Sequence, residues 1–230
     1  MISQRLAFQA GSALFVGAFL DVRFFYGNKN MSMCLALHSV SDKNIQMILE
    51  SPALIWRLIA PDDPEIYLDS LKDSQPGLLS RIFGKKRFDS SQEVPNLEFV
   101  EGENINDDLD KSWQGIHYCL NKTEYDAEPP LDFITVGGIP AGDIEVGYGA
   151  ARLFDSKRIK EIEDSLSKIT SNELHNNYNP SHMAQLDIYP NIWEREGEEG
   201  FEYIAEYFER LKSFIAICSK HNLGMVVFLS

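Results

Sequence analysis

The feature that most constrains the fold is a long amphipathic segment that leads directly into a short apolar run. Between about Glu198 and His221 apolar residues recur at the spacing of an α-helix, which predicts a helix with one buried stripe. This helix ends near Leu223 and Gly224, and the apolar residues 225–229 predict a buried strand. The stripe consists of Phe201, Ile204, Phe208, Leu211, Ile215 and Cys218.

Strand and helix signals elsewhere indicate the α+β class. Residues 33–40, 131–136 and 152–154 predict further strands. The helices between them come in consecutive groups, so a regular alternation of strand and helix is absent. Residues suited to begin a helix are Ser41, Asp155, Thr170 with Glu173, and Asn179 before Pro180. We therefore expect an α+β domain in which a small β-sheet is covered by helices.

A further helix is predicted from Asp107 to Leu120. Its apolar residues recur at helical spacing and are expected to face the core. Acidic residues crowd its first turn, where the helix dipole favours negative charge. Asp110, Trp113 and His117 are three and four residues apart, so they would share one side of this helix.

The chain is predicted to hold one domain and an N-terminal extension. Residues 6–20 are moderately apolar but short for a membrane span. Residues 1–30 are interpreted as a leader or a mis-assigned start, because Met31 resembles a second start; a targeting segment is the alternative. Residues 31–230 form the predicted single domain. Within it, residues 75–96 are rich in Pro, Gly and Ser, carry the basic run 85–87, and predict a flexible loop insertion.

The net charge restricts the partners. The whole chain carries −14, and residues 31–230 carry −16 because residues 1–30 contribute +2. A surface this acidic repels nucleic acid and anionic lipid, so neither nucleic acid nor a membrane is expected as a partner of the domain. It suits a basic protein partner or a cationic ligand; simple solubility is the alternative reason for the charge.

Cysteine usage favours a reducing compartment. Cys34, Cys119 and Cys218 are odd in number and widely spaced, unlike a disulfide framework or a paired zinc motif. We therefore expect a cytoplasmic protein, or an exported one if residues 1–30 act as a signal. His38 and His117 could join two of the cysteines around zinc, but His117 and Cys119 point apart on a helix. No metal and no cofactor is predicted.

Four segments, in this order, resemble the YfbM-like family, a bacterial family of domains of unknown function. They are MSMC followed by a Ser-Asp cap, DLDKSWQGIH, VGYGAAR, and MAQLDIYP followed by Trp193. The resemblance covers about residues 31–230 and implies a compact α+β domain. The family starts at its own Met-Ser-Met-Cys, which favours Met31 as the natural start. The resemblance implies no established activity, cofactor or catalytic residue.

The first candidate site residues lie on the predicted 107–120 helix. His117 near the carboxylate of Asp110 would be a general base, because a carboxylate orients and tunes an imidazole. The alternative is structural: Trp113 belongs to the core, Asp110 is a charge of the first turn, and His117 is a half-buried polar residue with its hydrogen bonds satisfied.

The other candidates lie at the tight turn 147–149, which enters a strand, and at an aromatic-proline corner before the last helix. Tyr148 and Arg152 would bind an anionic or planar ligand, or Arg152 would pair with one of the acids. Tyr189 and Trp193 form an aromatic corner that closes the fold or, if exposed, walls a cleft. The complete candidate ligand or partner cleft is Asp110, Trp113, His117, Tyr148, Arg152, Tyr189 and Trp193.

Three classes of function remain open. A non-enzymatic protein-binding module that masks a basic partner, in the manner of an immunity protein, ranks first. A small-molecule-binding domain or enzyme that uses the candidate cleft ranks second, and a structural or assembly role third. The chain lacks the GxxxxGK[ST], GxGxxG and GxSxG signatures. Whether the protein is an enzyme stays undecided.

Overall fold

The computed structural model describes residues 32–73 and 95–230. The predicted extension 1–30 and most of the predicted loop 75–96 lie outside these ranges. Within them, the strands are β1 (Leu35–Val40), β2 (Asn106–Asp108), β3 (Ile139–Glu145), β4 (Ala150–Phe154) and β5 (Gly224–Leu229). They form one antiparallel sheet in the order β2-β1-β5-β4-β3. The first and last strands therefore pair at the centre of the sheet.

The helices of the described ranges are α1 (Asp42–Glu50), α2 (Ile55–Ile59), α3 (Pro64–Asp73), α4 (Trp113–Asn121), α5 (Ser156–Leu166), α6 (Ser171–Asn177), α7 (Pro180–Gln185), α8 (Trp193–Glu196) and α9 (Glu198–Lys220). The predicted helix starts are confirmed. Ser41, Asp155 and Asn179 each accept a backbone N–H of the first turn, and Thr170 forms a capping box with Glu173. The α+β class and the helix-covered sheet are therefore confirmed.

Helices cover both faces of the sheet. Leu37 of β1 pairs with Val227 of β5, and both belong to the apolar core that includes the buried stripe of α9. The neighbouring Val226 points to the opposite face, since side chains alternate along a strand. It belongs to a second core with Ile48 of α1 and Leu58 of α2. The sheet is thus the middle layer of three.

The long helix α9 confirms the predicted apolar stripe. All six stripe residues are buried, and Phe208 at its centre is fully inaccessible to solvent. Burying one such side chain stabilises a fold by roughly 1.5–3 kcal/mol. The opposite face carries exposed acids, including Glu199, Glu202 and Glu206. Across the described ranges we find no helix with both the length and the apolar character that a membrane crossing needs.

The predicted strand at residues 131–136 is wrong. This segment is a series of turns in which the carbonyl oxygen of Asp132 accepts the N–H groups of Thr135, Val136 and Gly137. These bonds close the backbone on itself, so it offers no ladder to a neighbouring strand. The edge strand β3, which was not predicted, begins at Ile139 instead.

The predicted start of the 107–120 helix is also wrong. Asp107 and Asp108 lie in β2, paired with Leu37 and Ala36 of β1. A single 3-10 turn, Asp110–Ser112, separates this strand from α4. The acidic residues therefore extend the sheet edge, and the helical spacing holds only from Trp113 onward.

Candidate functional site

Trp113 and Tyr189 meet around the backbone of Met33. The indole Nε1 of Trp113 donates to the Met33 carbonyl at 3.2 Å, and the Tyr189 hydroxyl accepts the Met33 N–H at 2.9 Å. The two rings stack with centroids 6.0 Å apart. We call Met33, Cys34, Asp110, Trp113 and Tyr189 the Met33 corner. Its two aromatic residues hold the chain's own backbone just before β1.

Asp110 joins the same corner through a separate set of bonds. Its carboxylate accepts from the Cys34 thiol at 3.3 Å and from the Tyr203 hydroxyl at 2.8 Å. Burial, followed by the hydrogen bond to Asp110, raises the pKa of Tyr203. Burial also raises the pKa of the Cys34 thiol, which keeps it protonated and a poor nucleophile. Asp110 has a φ of 41°, which is rare for a residue with a side chain.

His117 is fully buried and surrounded by polar side chains of its own chain. Nε2 lies 3.3 Å from the Thr123 hydroxyl, and Nδ1 lies 3.4 Å from the Asn121 amide and 3.2 Å from the Thr135 hydroxyl. The Thr123 hydroxyl donates to the Asp126 carbonyl, so it accepts from Nε2. The Thr135 hydroxyl donates to the Tyr125 carbonyl, so only the Asn121 amide can donate to Nδ1, and a neutral ring with its proton on Nε2 satisfies both nitrogens. The ring therefore presents no polar atom to an external substrate.

The stability of the fold should fall when acid charges His117. Burial, and next the charge of Arg152, lowers the pKa of His117 to about 4, below the ordinary value near 6.5. Between pH 6.5 and 4 the unfolded chain therefore binds a proton that the folded one does not. We expect the free energy of unfolding to drop by about 3 kcal/mol over this range. Urea denaturation at stepped pH measures the drop.

The matched variant is His117→Gln, which cannot titrate in this range. Its free energy of unfolding should change less with pH than that of the wild type, since the carboxylates contribute equally to both. Parallel curves for the two proteins between pH 6.5 and 4 would contradict the assignment of a neutral, buried His117.

Arg152 stabilises the turns beneath β3. Its guanidinium donates to the carbonyls of Ile134 and Gly137 at 2.6 and 2.7 Å. Burial lowers the pKa of Arg152 to about 10, while nearby Asp132 acts in the opposite direction. The side chain thus satisfies two carbonyls of the segment that the sequence suggested as a strand. Because these bonds use two of its nitrogen atoms, fewer guanidinium N–H groups are left to bind an anionic ligand.

Trp193 lies in the core and does not share the hydrogen bonds of the Met33 corner. It is fully buried, and its Nε1 donates to the Ile188 carbonyl at 2.9 Å. A Cβ added at Gly115 would come within 2.8 Å of the Trp193 ring, so only glycine permits this close approach of α4.

Tyr148 belongs to the turn that joins β3 to β4. Its backbone N–H donates to the Leu229 carbonyl at 2.9 Å. At the neighbouring Gly147, with a φ of 114°, a Cβ would lie 2.2 Å from the same carbonyl oxygen. The glycine is therefore required for the turn to approach the sheet. The Tyr148 side chain is partly exposed.

The residues of the predicted cleft therefore do not all meet in one site. Asp110, Trp113 and Tyr189 meet at the Met33 corner, whereas His117 lies in the interior near Arg152. Trp193 lies in the core, and Tyr148 lies in the β3–β4 turn. In residues 32–73 and 95–230 no three His, Cys, Asp or Glu side chains are placed to share a metal ion.

A large hollow lies on the face of the sheet that α1 and α2 cover, where the sequence predicted no site. Its volume is about 990 Å³, and α2, α3, β3 and the 3-10 turn Pro52–Leu54 contribute to its walls. We call it the acidic groove. Its described lining residues are Glu50, Ser51, Pro52, Ala53, Trp56, Ile66, Asp69, Ser70, Leu71, Asp143, Ile144 and Glu145. This set contains four acidic side chains and no Lys or Arg.

A second, smaller hollow of about 290 Å³ lies between β2 and α9. It contains acids as well, but Arg210 lies among them and forms an ion pair with Asp107. The Arg210 guanidinium also stacks over the Tyr207 ring, 4.9 Å from its centroid. Arg210 therefore already neutralises part of the negative charge in this smaller hollow.

Comparison with known proteins identifies the family. The chain shares its fold with a solved structure, described as a protein of unknown function, YfbM, from Escherichia coli. The TM-score is 0.54 at 19% identity, with 87% of this chain and all of that chain covered. No curated protein sequence matches the chain. The model of the family Domain of unknown function (DUF1877) matches residues 31–228. The chain therefore belongs to the DUF1877 family.

Proposed function

We propose that the protein is a non-enzymatic binding module for a basic protein partner. The observation that carries this proposal is the acidic groove, whose described lining has four carboxylate side chains and no base. The net charge of −16 over residues 31–230 acts in the same direction at longer range. Strong complementary charge speeds association with a basic partner and selects against acidic ones. An immunity-type protein that masks a basic partner is one specific case of this class.

The alternative, a small-molecule site built from the predicted cleft residues, has less support. Catalysis by His117 would require a path from the imidazole to a substrate, yet its ring atoms face Thr123, Asn121 and Thr135. Only the Met33 corner combines several predicted residues near the surface. There the polar atoms of Trp113 and Tyr189 bond the chain's own backbone.

A cytoplasmic location belongs to the same proposal. All three cysteines are free thiols. Burial raises the pKa of both Cys119 and Cys218 to about 12, so neither is a reactive thiolate. Free structural thiols favour a reducing compartment.

Affinity capture at two ionic strengths tests the proposal. The full chain is immobilised and exposed to native lysate of its source cells, and bound proteins are quantified by mass spectrometry at about 0.05 M and about 0.3 M NaCl. We expect a stoichiometric partner of high isoelectric point whose recovery falls at least tenfold at the higher salt concentration. Capture with no stoichiometric partner, or with one that is acidic or indifferent to salt, would overturn the proposal.

A further inference from the structure

The acidic groove has an apolar floor as well as an acidic rim. Trp56, Ile66, Leu71 and Ile144 line it, and all four are only partly covered by the rest of the described chain. Partly exposed apolar side chains that lie together gain free energy when a partner removes them from water, about 25 cal/mol per Å². A partner that fits this floor therefore needs an apolar face of its own.

Trp56 is the natural anchor of such a contact. Tryptophan is among the residues that most often dominate the free energy of protein binding. Its indole N–H is buried and has no hydrogen-bond partner within the described part of the chain. A buried donor left without an acceptor costs about 1–3 kcal/mol.

The rim adds a requirement for positive charge. Glu50, Asp143 and Glu145 are exposed and line the same groove. A cationic partner would form charge-assisted hydrogen bonds with these carboxylates. The acidic rim and the apolar floor are together complementary to a segment with Lys or Arg on one side and apolar residues on the other.

We propose that the acidic groove is the docking site for a basic amphipathic segment of a protein partner. The apolar face of the segment packs on Trp56 and Ile144, and its cationic side chains pair with the rim carboxylates of Glu50, Asp143 and Glu145. This deepens the proposed function and rests on it, because it assigns the place and the chemistry by which a basic partner is recognised. Amphipathic segments commonly bind in apolar grooves in this way.

Synthetic peptides test the two requirements separately. The first probe is a Lys/Leu amphipathic peptide of about 18 residues, five helical turns. A Glu/Leu peptide keeps the apolar face and inverts the charge, whereas a Lys/Ser peptide keeps the charge and removes the apolar face. Titration of the labelled peptides with the full chain measures each Kd by fluorescence anisotropy. We expect the Lys/Leu peptide to bind at least tenfold more tightly than either of the others.

Matched variants locate the binding. Neutralising the rim by E50Q, D143N and E145Q together should weaken the Lys/Leu peptide at least tenfold. The control is E199Q, E202Q and E206Q on the exposed face of α9, which changes the net charge equally and should alter the Kd less than twofold. Ile144→Thr keeps a β-branched residue in β3 but makes the floor polar, and it should weaken binding at least threefold. Circular dichroism and Tm confirm that each variant is folded.

Several outcomes would overturn the proposal. Equal weakening by the rim and control variants would mean that only the overall charge attracts the peptide. A dimer in light scattering that the rim variant dissociates would make a second copy the occupant. If the wild type fails to bind the peptide but K85Q, K86Q and R87Q together allow it, the occupant is this chain's own basic run. If lysate capture yields a basic partner that the rim variant still binds at full strength, the groove assignment fails and the proposed function stands.

Discussion

Replacing Glu103 with alanine is expected to lower the free energy of unfolding by about 3–5 kcal/mol, one of the largest effects of any single substitution. The side chain is 8% exposed, and no basic residue contributes to its hydrogen bonds. One oxygen accepts from the Ser41 N–H and hydroxyl at 2.8 and 2.9 Å and from the Asn44 amide at 2.5 Å. The other accepts the Val100 N–H at 2.9 Å. The carboxylate thereby fastens the loop before β2 to the start of α1.

The size of this effect follows from the number of donors. Each hydrogen bond to a charged group contributes about 1.5–3 kcal/mol, but water entering the vacated space compensates part of the loss of four. Glu103→Gln keeps the shape and one acceptor, so it should lose less than Glu103→Ala. Urea denaturation followed by tryptophan fluorescence measures both.

Glu98→Gln supplies the control for this experiment. Glu98 is a neighbouring exposed acid that pairs with exposed Lys43, and solvent screens such a surface pair strongly. A loss below 1 kcal/mol for Glu103→Ala, or an equal loss for Glu98→Gln, would show that the buried carboxylate does not hold this loop.

Replacing Trp193 with alanine is expected to lower the free energy of unfolding by about 3–5 kcal/mol. The indole is fully buried against Gly115 of α4 and Ile204 of α9, and its N–H satisfies the Ile188 carbonyl. Truncation leaves a cavity where three segments of the chain meet, and it leaves that carbonyl without its donor. Thermal and urea denaturation of the variant measure the loss.

Trp193→Phe separates the two contributions. It keeps most of the ring volume but removes the N–H, so a loss of about 1–2 kcal/mol is expected. If Trp193 were the exposed wall of a cleft, alanine would be tolerated with a loss below 1 kcal/mol, and that result would contradict its place in the core.

Structural features that depend on residues three or four positions apart could be predicted from the sequence. The caps at Ser41, Asp155 and Thr170 each bond a backbone N–H three residues later, so the pattern and its partner lie side by side in the chain. The stripe of α9 was readable for the same reason, since helical spacing repeats locally. These elements give most of the α+β fold.

The edge strands β2 and β3 could not be predicted from the sequence. Their side chains are mostly exposed, and their pairing leaves no clear local pattern in the chain. β2 is acidic and only three residues long, and its partner Leu37 lies far earlier in the chain. The acids of β2 therefore suggested a helix start. β3 contains Pro140 and Gly142 and pairs irregularly with β4, so it lacks the alternation that predicts a strand.

Only part of the candidate site could be predicted from the sequence. The sequence drew attention to Asp110, Trp113 and Tyr189, which do meet, but their partners Met33 and Tyr203 come from elements that no local pattern connects to them. The acidic groove joins residues 50–71 with residues 143–145, and only the folded sheet brings these together. Its use by a partner stays a prediction.

The pairing of β1 with β5 at the centre of the sheet has a consequence for how quickly the fold can form. Leu35 pairs with Leu229, and the central ladder therefore joins segments from almost opposite ends of the described chain. Contacts between residues so distant in sequence slow folding, because the entropy of closing the intervening chain is lost before the ladder contributes. During synthesis the helices emerge before β5 does, so the apolar face of α9 has no finished sheet to cover. Until β5 has emerged from the ribosome, the apolar faces that pack against the finished sheet are open to aggregation.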